Sequence, residues 1–145
     1  MSSGYIHTFS AAEQARLVAQ AAFLEPYIFP SIDFIGCAQV LEVGCGVGAE
    51  LQILRRRFPP ARLTGLDSSA SQLAKARELL RAELASGSVA IRQGSAYELP
   101  FADGSFDGVC LIWVLEHLSE PVRALREARR VLRPGGRLIV TEVCN

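Results

Sequence analysis

From Gln39 onward the chain repeats one pattern: a short apolar run, a turn rich in Gly, Ser or Asp, then a segment with helical spacing. That order points to strand–helix–strand crossovers and a parallel sheet flanked by helices. The first strand is expected at Val40–Val43, with Leu51, Leu54 and Phe58 on one face of the helix behind it and Pro59-Pro60 as its stop. Further strands are expected at 62–66, 89–93, 106–112 and 137–143. Leu73, Ala76, Leu80 and Leu84 face inward on the second helix, which stops near Ser86-Gly87. Ser119 is placed to cap a third, carrying Val122, Leu125, Ala128 and Leu132, and Pro134-Gly135 suits a type II turn before the last strand. Ahead of the sheet, Ser10 to Glu13 has the form of a capping box. Leu17, Val18, Ala21 and Leu24 then share a helix face, Pro26 is expected to close the helix, and Tyr27 and Phe29 mark an aromatic linker. The reading is one domain over residues 1–145, with a leading segment at 1–36 and the α/β core at 37–145.

Composition narrows the partner. Fifteen basic and fifteen acidic residues cancel, so no net field draws the chain to nucleic acid or an anionic membrane, and a small molecule is expected instead. The run Arg55-Arg56-Arg57 reads as a solvated helix end that suits the helix dipole. Cys37, Cys45, Cys110 and Cys144 form no close pair of the kind zinc sites use, and His7 and His117 stand far apart, so neither a metal site nor a disulfide framework is expected. Glu13, Gln14, Arg16 and Gln20 interrupt the apolar N-terminal stretch, so no signal peptide or membrane span is expected and a cytoplasmic setting is the default.

The chemistry concentrates in the first turn. Gly44-Cys45-Gly46-Val47-Gly48 follows a strand and opens a helix, where bare backbone can approach a ligand and helix amides point outward. Asp67 ends the second strand, 19 residues beyond Gly48, where a sheet would set a carboxylate beside a ribose lying over the glycines. The same acid could instead cap the following helix with Ser68 and Ser69. Gly44-x-Gly46-x-x-Ala49 also satisfies a dinucleotide fingerprint, so the loop alone leaves a nicotinamide cofactor open.

Five ordered segments resolve that ambiguity by resemblance: 40–48 (VLEVGCGVG), 65–69 (GLDSS), 99–107 (LPFADGSFD), 115–118 (LEHL) and 131–136 (VLRPGG). In order and spacing they resemble the motifs of class I S-adenosylmethionine (SAM)-dependent methyltransferases, in particular the small-molecule branch with the Leu-Pro-Phe loop. The resemblance implies that Gly44, Cys45 and Gly46 pass under the methionine part of SAM. Glu42 would order that loop, Asp67 would hold the ribose hydroxyls, and Ser68 would flank the adenine. Ser95-Ala96 stands where the family commonly has Asp-Ala, so the adenine contact here would rest on a neutral hydroxyl or on backbone groups. Trp113 takes the position that lines the methionine end, or a plain core position. Glu116 and His117, the only adjacent acid and imidazole, follow the fourth strand. They are the candidates for a catalytic base, or equally they order a turn. Tyr5 and His7 lie in a segment that resembles a cofactor lid, or a frayed terminus.

The implied fold is α/β, a three-layer Rossmann-like parallel sheet in the order 3-2-1-4-5. The family's sheet continues for two more strands, so the expectation is either a piece of a longer protein or an apolar fifth strand covered by another copy, that is, self-association through its edge. The implied activity is transfer of a methyl group from SAM to a small-molecule acceptor, leaving S-adenosylhomocysteine. Two alternatives stand beside it: a non-catalytic SAM-binding or assembly domain, and an NAD(P)-dependent oxidoreductase.

Overall fold

The computed structural model of the chain describes residues 10–142. Strands β1 (Gln39–Val43), β2 (Arg62–Asp67), β3 (Val89–Gln93), β4 (Phe106–Ile112) and β5 (Leu132–Thr141) form one sheet in the order β3-β2-β1-β4-β5, all neighbours parallel. The expected α/β architecture and strand order are present. Because parallel strands need crossovers, helices cover both faces. Val40, Leu63, Cys110 and Ile112 pack toward α1 (Ala11–Ile28), α2 (Ala49–Arg57) and α3 (Ala70–Leu79). Leu41, Val43, Leu66, Val109 and Leu111 face the other way, onto α5 (Pro121–Val131) and the 99–106 loop. Glu42 shares the face of Val40, so its carboxyl is directed into the dry layer beneath α2.

Several local expectations are corrected. Helix α1 runs past Pro26 to Ile28: the proline forfeits one backbone bond, and packing of Ala21, Ile28 and Phe29 against the core carries the last turn through. The helix after β2 breaks at Leu80 into α3 and a short α4 (Arg81–Ser86); Leu80 itself is fully buried. Ser119 caps nothing: Glu120 precedes Pro121 at the start of α5, and the Ser119 amide donates instead to the Tyr97 hydroxyl at 3.0 Å. The inward face of α5 is Ala124, Ala128 and Val131, Val122 is 59% exposed, and Leu132 opens β5 rather than closing the helix. Strand β5 therefore starts earlier than expected, with an irregularity between the Phe106–Leu132 and Gly108–Arg137 pairs that takes up Gly135 at φ +80°. Val143 and Cys144 lie outside the described residues. The arginine run is more than a solvated end, because Arg56 and Arg57 both pair with Glu25 and so tie α2 to α1.

Two polar clamps fix the sheet's lower end and the 99–106 loop. The Asp107 carboxylate accepts the Ala38 and Gln39 amides, each at 2.8 Å, joining the starts of β4 and β1. Burial pushes the Asp107 carboxyl up, but these backbone donors outweigh it and hold the group below its ordinary value. On the opposite face Arg130 donates to the carbonyls of Phe101 and Leu99, while its partner Glu127 accepts the Leu99 amide at 2.7 Å. Among the described residues no helix is long and apolar enough to cross a membrane.

Candidate functional site

In a parallel sheet the carboxyl ends of the strands share one rim, and the glycine loop lies there. The amides of Gly44 and Cys45 both donate to the Leu66 carbonyl, at 2.7 and 2.9 Å, which draws the loop across the end of β2. Gly44, at φ +77°, packs so closely that a Cβ on it would stand 2.5 Å from Val114 Cγ2. The segment after β4 is thereby pressed against the loop. From the other side, the Gly94 amide donates to the Asp67 carbonyl at 3.1 Å, and Gln93 Nε2 donates to the Ser68 carbonyl, also at 3.1 Å. The fold thus gathers Gly44, Cys45, Gly46, Asp67, Ser68, the Ser95 loop and Trp113 at one rim.

The three φ-positive glycines of the loop do different work. A Cβ on Gly48 would meet Leu80 Cδ1 at 2.9 Å, so Gly48 is needed for close packing of the loop on α3. Gly46, at φ +52°, has room above it among the described residues: beyond its chain neighbours, Gln72 Nε2 alone of them comes within 4 Å of a Cβ there, at 3.6 Å. Cys45 contributes backbone alone, its thiol being buried against Gly65 and pushed up, chiefly by burial.

Asp67 divides its carboxylate between two backbone donors. Gly46 N–H reaches Oδ2 at 2.9 Å and Ser69 N–H reaches Oδ1 at 2.8 Å. Asp67 does not itself cap α3: it accepts the amide of Ser69, the N-cap residue, whose own Oγ accepts the Gln72 amide. A carboxylate offers about four lone-pair sites, so two such bonds leave it free to accept others.

Glu42 has both carboxyl oxygens buried with no hydrogen-bond partner among the described residues, at 1% exposure. Burial first, then the neighbouring Glu50 and Asp67, push it well above the ordinary carboxyl range. Glu50, in the first turn of α2, is pushed up to about 7, also by burial. Its place there looks routine in sequence, as an acid favoured by the helix dipole, and nothing in the spacing marks it as a neighbour of Glu42.

Trp113 has φ +56°, a conformation costly for any residue with a Cβ. Its amide donates to the Thr141 carbonyl at 2.8 Å, while the indole Nε1 is buried without a partner among the described residues. The ring packs on the same apolar layer as Leu17 and Val18 of α1. Ser95 is exposed, its hydroxyl accepting the Tyr97 amide at 3.1 Å; Ala96 is half-buried beside it. Glu116 and His117 stand on a one-turn helix, Leu115–His117, with Oε1 and Nε2 3.4 Å apart and each about half exposed. Tyr5 and His7 lie outside the described residues.

Residues 41–140 match the family model described as a methyltransferase domain. The chain belongs to the class I SAM-dependent methyltransferases. The domain is 39% identical over 106 residues to the O-methyltransferase resE of Aspergillus sclerotiorum, covering 72% of this chain and 39% of that protein. It is 37% identical over 105 residues to a demethylmenaquinone methyltransferase of Thermotoga maritima, covering 72% of this chain and 43% of that one. Among solved structures it resembles the (4+2)-cyclase SpnF, with a TM-score of 0.68 and 35% identity over 88% of this chain and 44% of the other. The first eight curated relatives are matched over only 29 to 43% of their own length.

Proposed function

We propose that this methyltransferase domain binds SAM across Gly46 and serves methyl transfer to a small-molecule acceptor. The carrying observation is the open cradle over Gly46, which Asp67 borders by accepting the Gly46 amide. The residues present fit the cofactor. Glu42 and the Trp113 indole carry buried polar atoms with no hydrogen-bond partner among the described residues, an arrangement that is costly unless a ligand or water meets it.

The cofactor's sulfonium would supply an already activated methyl group, so the protein's tasks are to orient the acceptor and exclude water. Asp67 would accept the ribose hydroxyls while its second function, holding Gly46, keeps the loop in register. Ser68, Ser95 and Ala96 would flank the adenine; with a serine hydroxyl in place of a carboxylate, that contact has no charge assistance. Gly44 and the Cys45 backbone carry the methionine end, with Glu42 beneath it and Trp113 as its wall. Glu116 and His117 would take the acceptor's proton, a role suited to their exposure at the strand ends. The two relatives named for O-methyl and demethylmenaquinone methyl transfer support a small-molecule acceptor.

A second reading has its own support: SpnF, 35% identical to this chain, is named for a cyclisation. On that reading the domain would bind the cofactor without transferring its methyl. Incubation with methyl-labelled SAM and a panel of hydroxyl, amine and carbon acceptors distinguishes the two. Label transfer that is lost in Asp67→Ala supports methylation. Tight S-adenosylhomocysteine binding with no label on any acceptor favours the second reading.

A further inference from the structure

We infer that the hydroxyl of Tyr97 carries occupancy of the cofactor site to the turn that bears Glu116 and His117, which makes Tyr97 a positioning residue for the acceptor. The inference rests on the SAM reading of the rim. Tyr97 stands in the loop after β3, whose cofactor-facing end is tightly built. The Gly94 amide donates to the Asp67 carbonyl at 3.1 Å, Ser95 Oγ accepts the Tyr97 amide at 3.1 Å, and the Glu98 amide donates to the Ser95 carbonyl at 3.3 Å. From this turn the half-buried Tyr97 ring reaches across to the start of α5, 22 residues further along the chain. There the phenol oxygen accepts two backbone donors, the Ser119 amide at 3.0 Å and the Glu120 amide at 3.4 Å. Those two bonds use its lone pairs, so its own proton is directed to Ser119 Oγ, 3.2 Å away. The ring is steadied by Arg123, whose guanidinium lies 5.5 Å from the ring centroid.

Capping alone does not call for this tyrosine. Ser119 and Glu120 are exposed, so water would satisfy their amides, and serine is itself a good cap. What the hydroxyl adds is a link between two loops that flank the site. The turn Leu115–His117 is suspended between two anchors. Upstream, Val114 packs over Gly44 and the Leu115 amide donates to Glu142 Oε1 at 2.8 Å; downstream, Ser119 and Glu120 hang on Tyr97. The backbone bonds within the turn, from His117 N–H to the Val114 carbonyl and from Leu118 N–H to the Leu115 carbonyl, are local. Further along α5, Glu127 and Arg130 grip Leu99 at the other end of the Tyr97 loop, so loop and helix are joined at both ends. A ligand that orders the Ser95 turn therefore lowers the cost of ordering the Glu116–His117 turn, without touching it.

The test is hydrogen exchange with and without saturating S-adenosylhomocysteine, together with calorimetric affinities, for wild type and Tyr97→Phe. The substitution keeps the ring and its Arg123 contact while removing the hydroxyl. In wild type the ligand is expected to slow exchange about tenfold in residues 115–120. In Tyr97→Phe that ligand-dependent slowing should vanish, while affinity stays within about fivefold of wild type and residues 44–48 keep their ligand-induced protection. A capping role alone would speed exchange at 115–120 by the same factor with and without ligand, and that result would overturn the inference. So would slowing that persists in Tyr97→Phe or is missing in wild type. A greater loss of affinity would overturn it too, by placing Tyr97 among the cofactor's own contacts. Each of these leaves the SAM reading intact, whereas absence of binding by wild type would overturn both.

Discussion

Replacing Gly46 and Gly48 in turn by alanine separates a glycine that faces ligand from one that faces protein. At Gly46 the described residues leave room for a Cβ, the nearest atom beyond its chain neighbours being Gln72 Nε2 at 3.6 Å, and the cost comes from φ +52°. A left-handed alanine costs roughly 1 to 2 kcal/mol, partly offset by the lower entropy of its unfolded chain. The net is about 1 kcal/mol, or a fall of roughly 4 °C in thermal midpoint for a domain of this size. At Gly48 the same kind of backbone penalty is joined by a 2.9 Å approach to Leu80 Cδ1 and 3.2 Å to Ala76 Cβ, both on fully buried residues. Overpacking of that kind adds about 1 to 3 kcal/mol. Thermal unfolding should therefore rank Gly48→Ala clearly below Gly46→Ala. Titration with S-adenosylhomocysteine should rank them the other way, with Gly46→Ala losing most affinity while remaining folded. A Gly46→Ala protein that binds as wild type does, or a Gly48→Ala protein no less stable than Gly46→Ala, would refute the division of labour in the loop.

Three further outcomes are expected. Asp67→Ala should weaken S-adenosylhomocysteine binding by about 2 kcal/mol, from lost charge-assisted bonds, and a calorimetric affinity unchanged from wild type would remove Asp67 from the ribose. Glu50, whose folded pKa of about 7 lies above the ordinary 4.5, is destabilising once ionised. Stability of the wild type should therefore fall between pH 4.5 and 7 more steeply than that of Glu50→Gln, with a gap on the order of 3 kcal/mol above pH 7 in urea unfolding. Asp107 has the opposite sign, since its pKa is lowered: its stabilisation is present above pH 4 and lost as acid protonates it. Asp107→Ala, which strands the Ala38 and Gln39 amides, should cost roughly 2 to 3 kcal/mol at pH 7 by the same unfolding assay and show a weaker acid dependence.

Strands with local signals were legible in the sequence. β3 and β4 fall at the expected residues, and β1 and β2 differ by one residue each, because their apolar runs are bounded by turns. The glycine loop and Asp67 were legible for the same reason: both sit at strand ends whose position a parallel sheet dictates. Contacts between distant segments left no such mark. The pairing of Arg130 with the Leu99 and Phe101 carbonyls joins a helix to a loop about thirty residues away, and a solvated arginine has the same local sequence. The burial of Glu42 under α2 follows from strand parity, but its isolation from any donor depends on three-dimensional packing. Pro26 is a local stop signal worth one lost hydrogen bond, and the packing that carries α1 on to Ile28 and Phe29 has no local mark in the sequence.

The most direct test of the account is a calorimetric titration of the wild-type chain with S-adenosylhomocysteine and, separately, with NADH. The cradle over Gly46 bordered by Asp67 predicts one site for S-adenosylhomocysteine, weakened in Asp67→Ala, and no heat from NADH. Saturable binding of NADH with none of S-adenosylhomocysteine would contradict it.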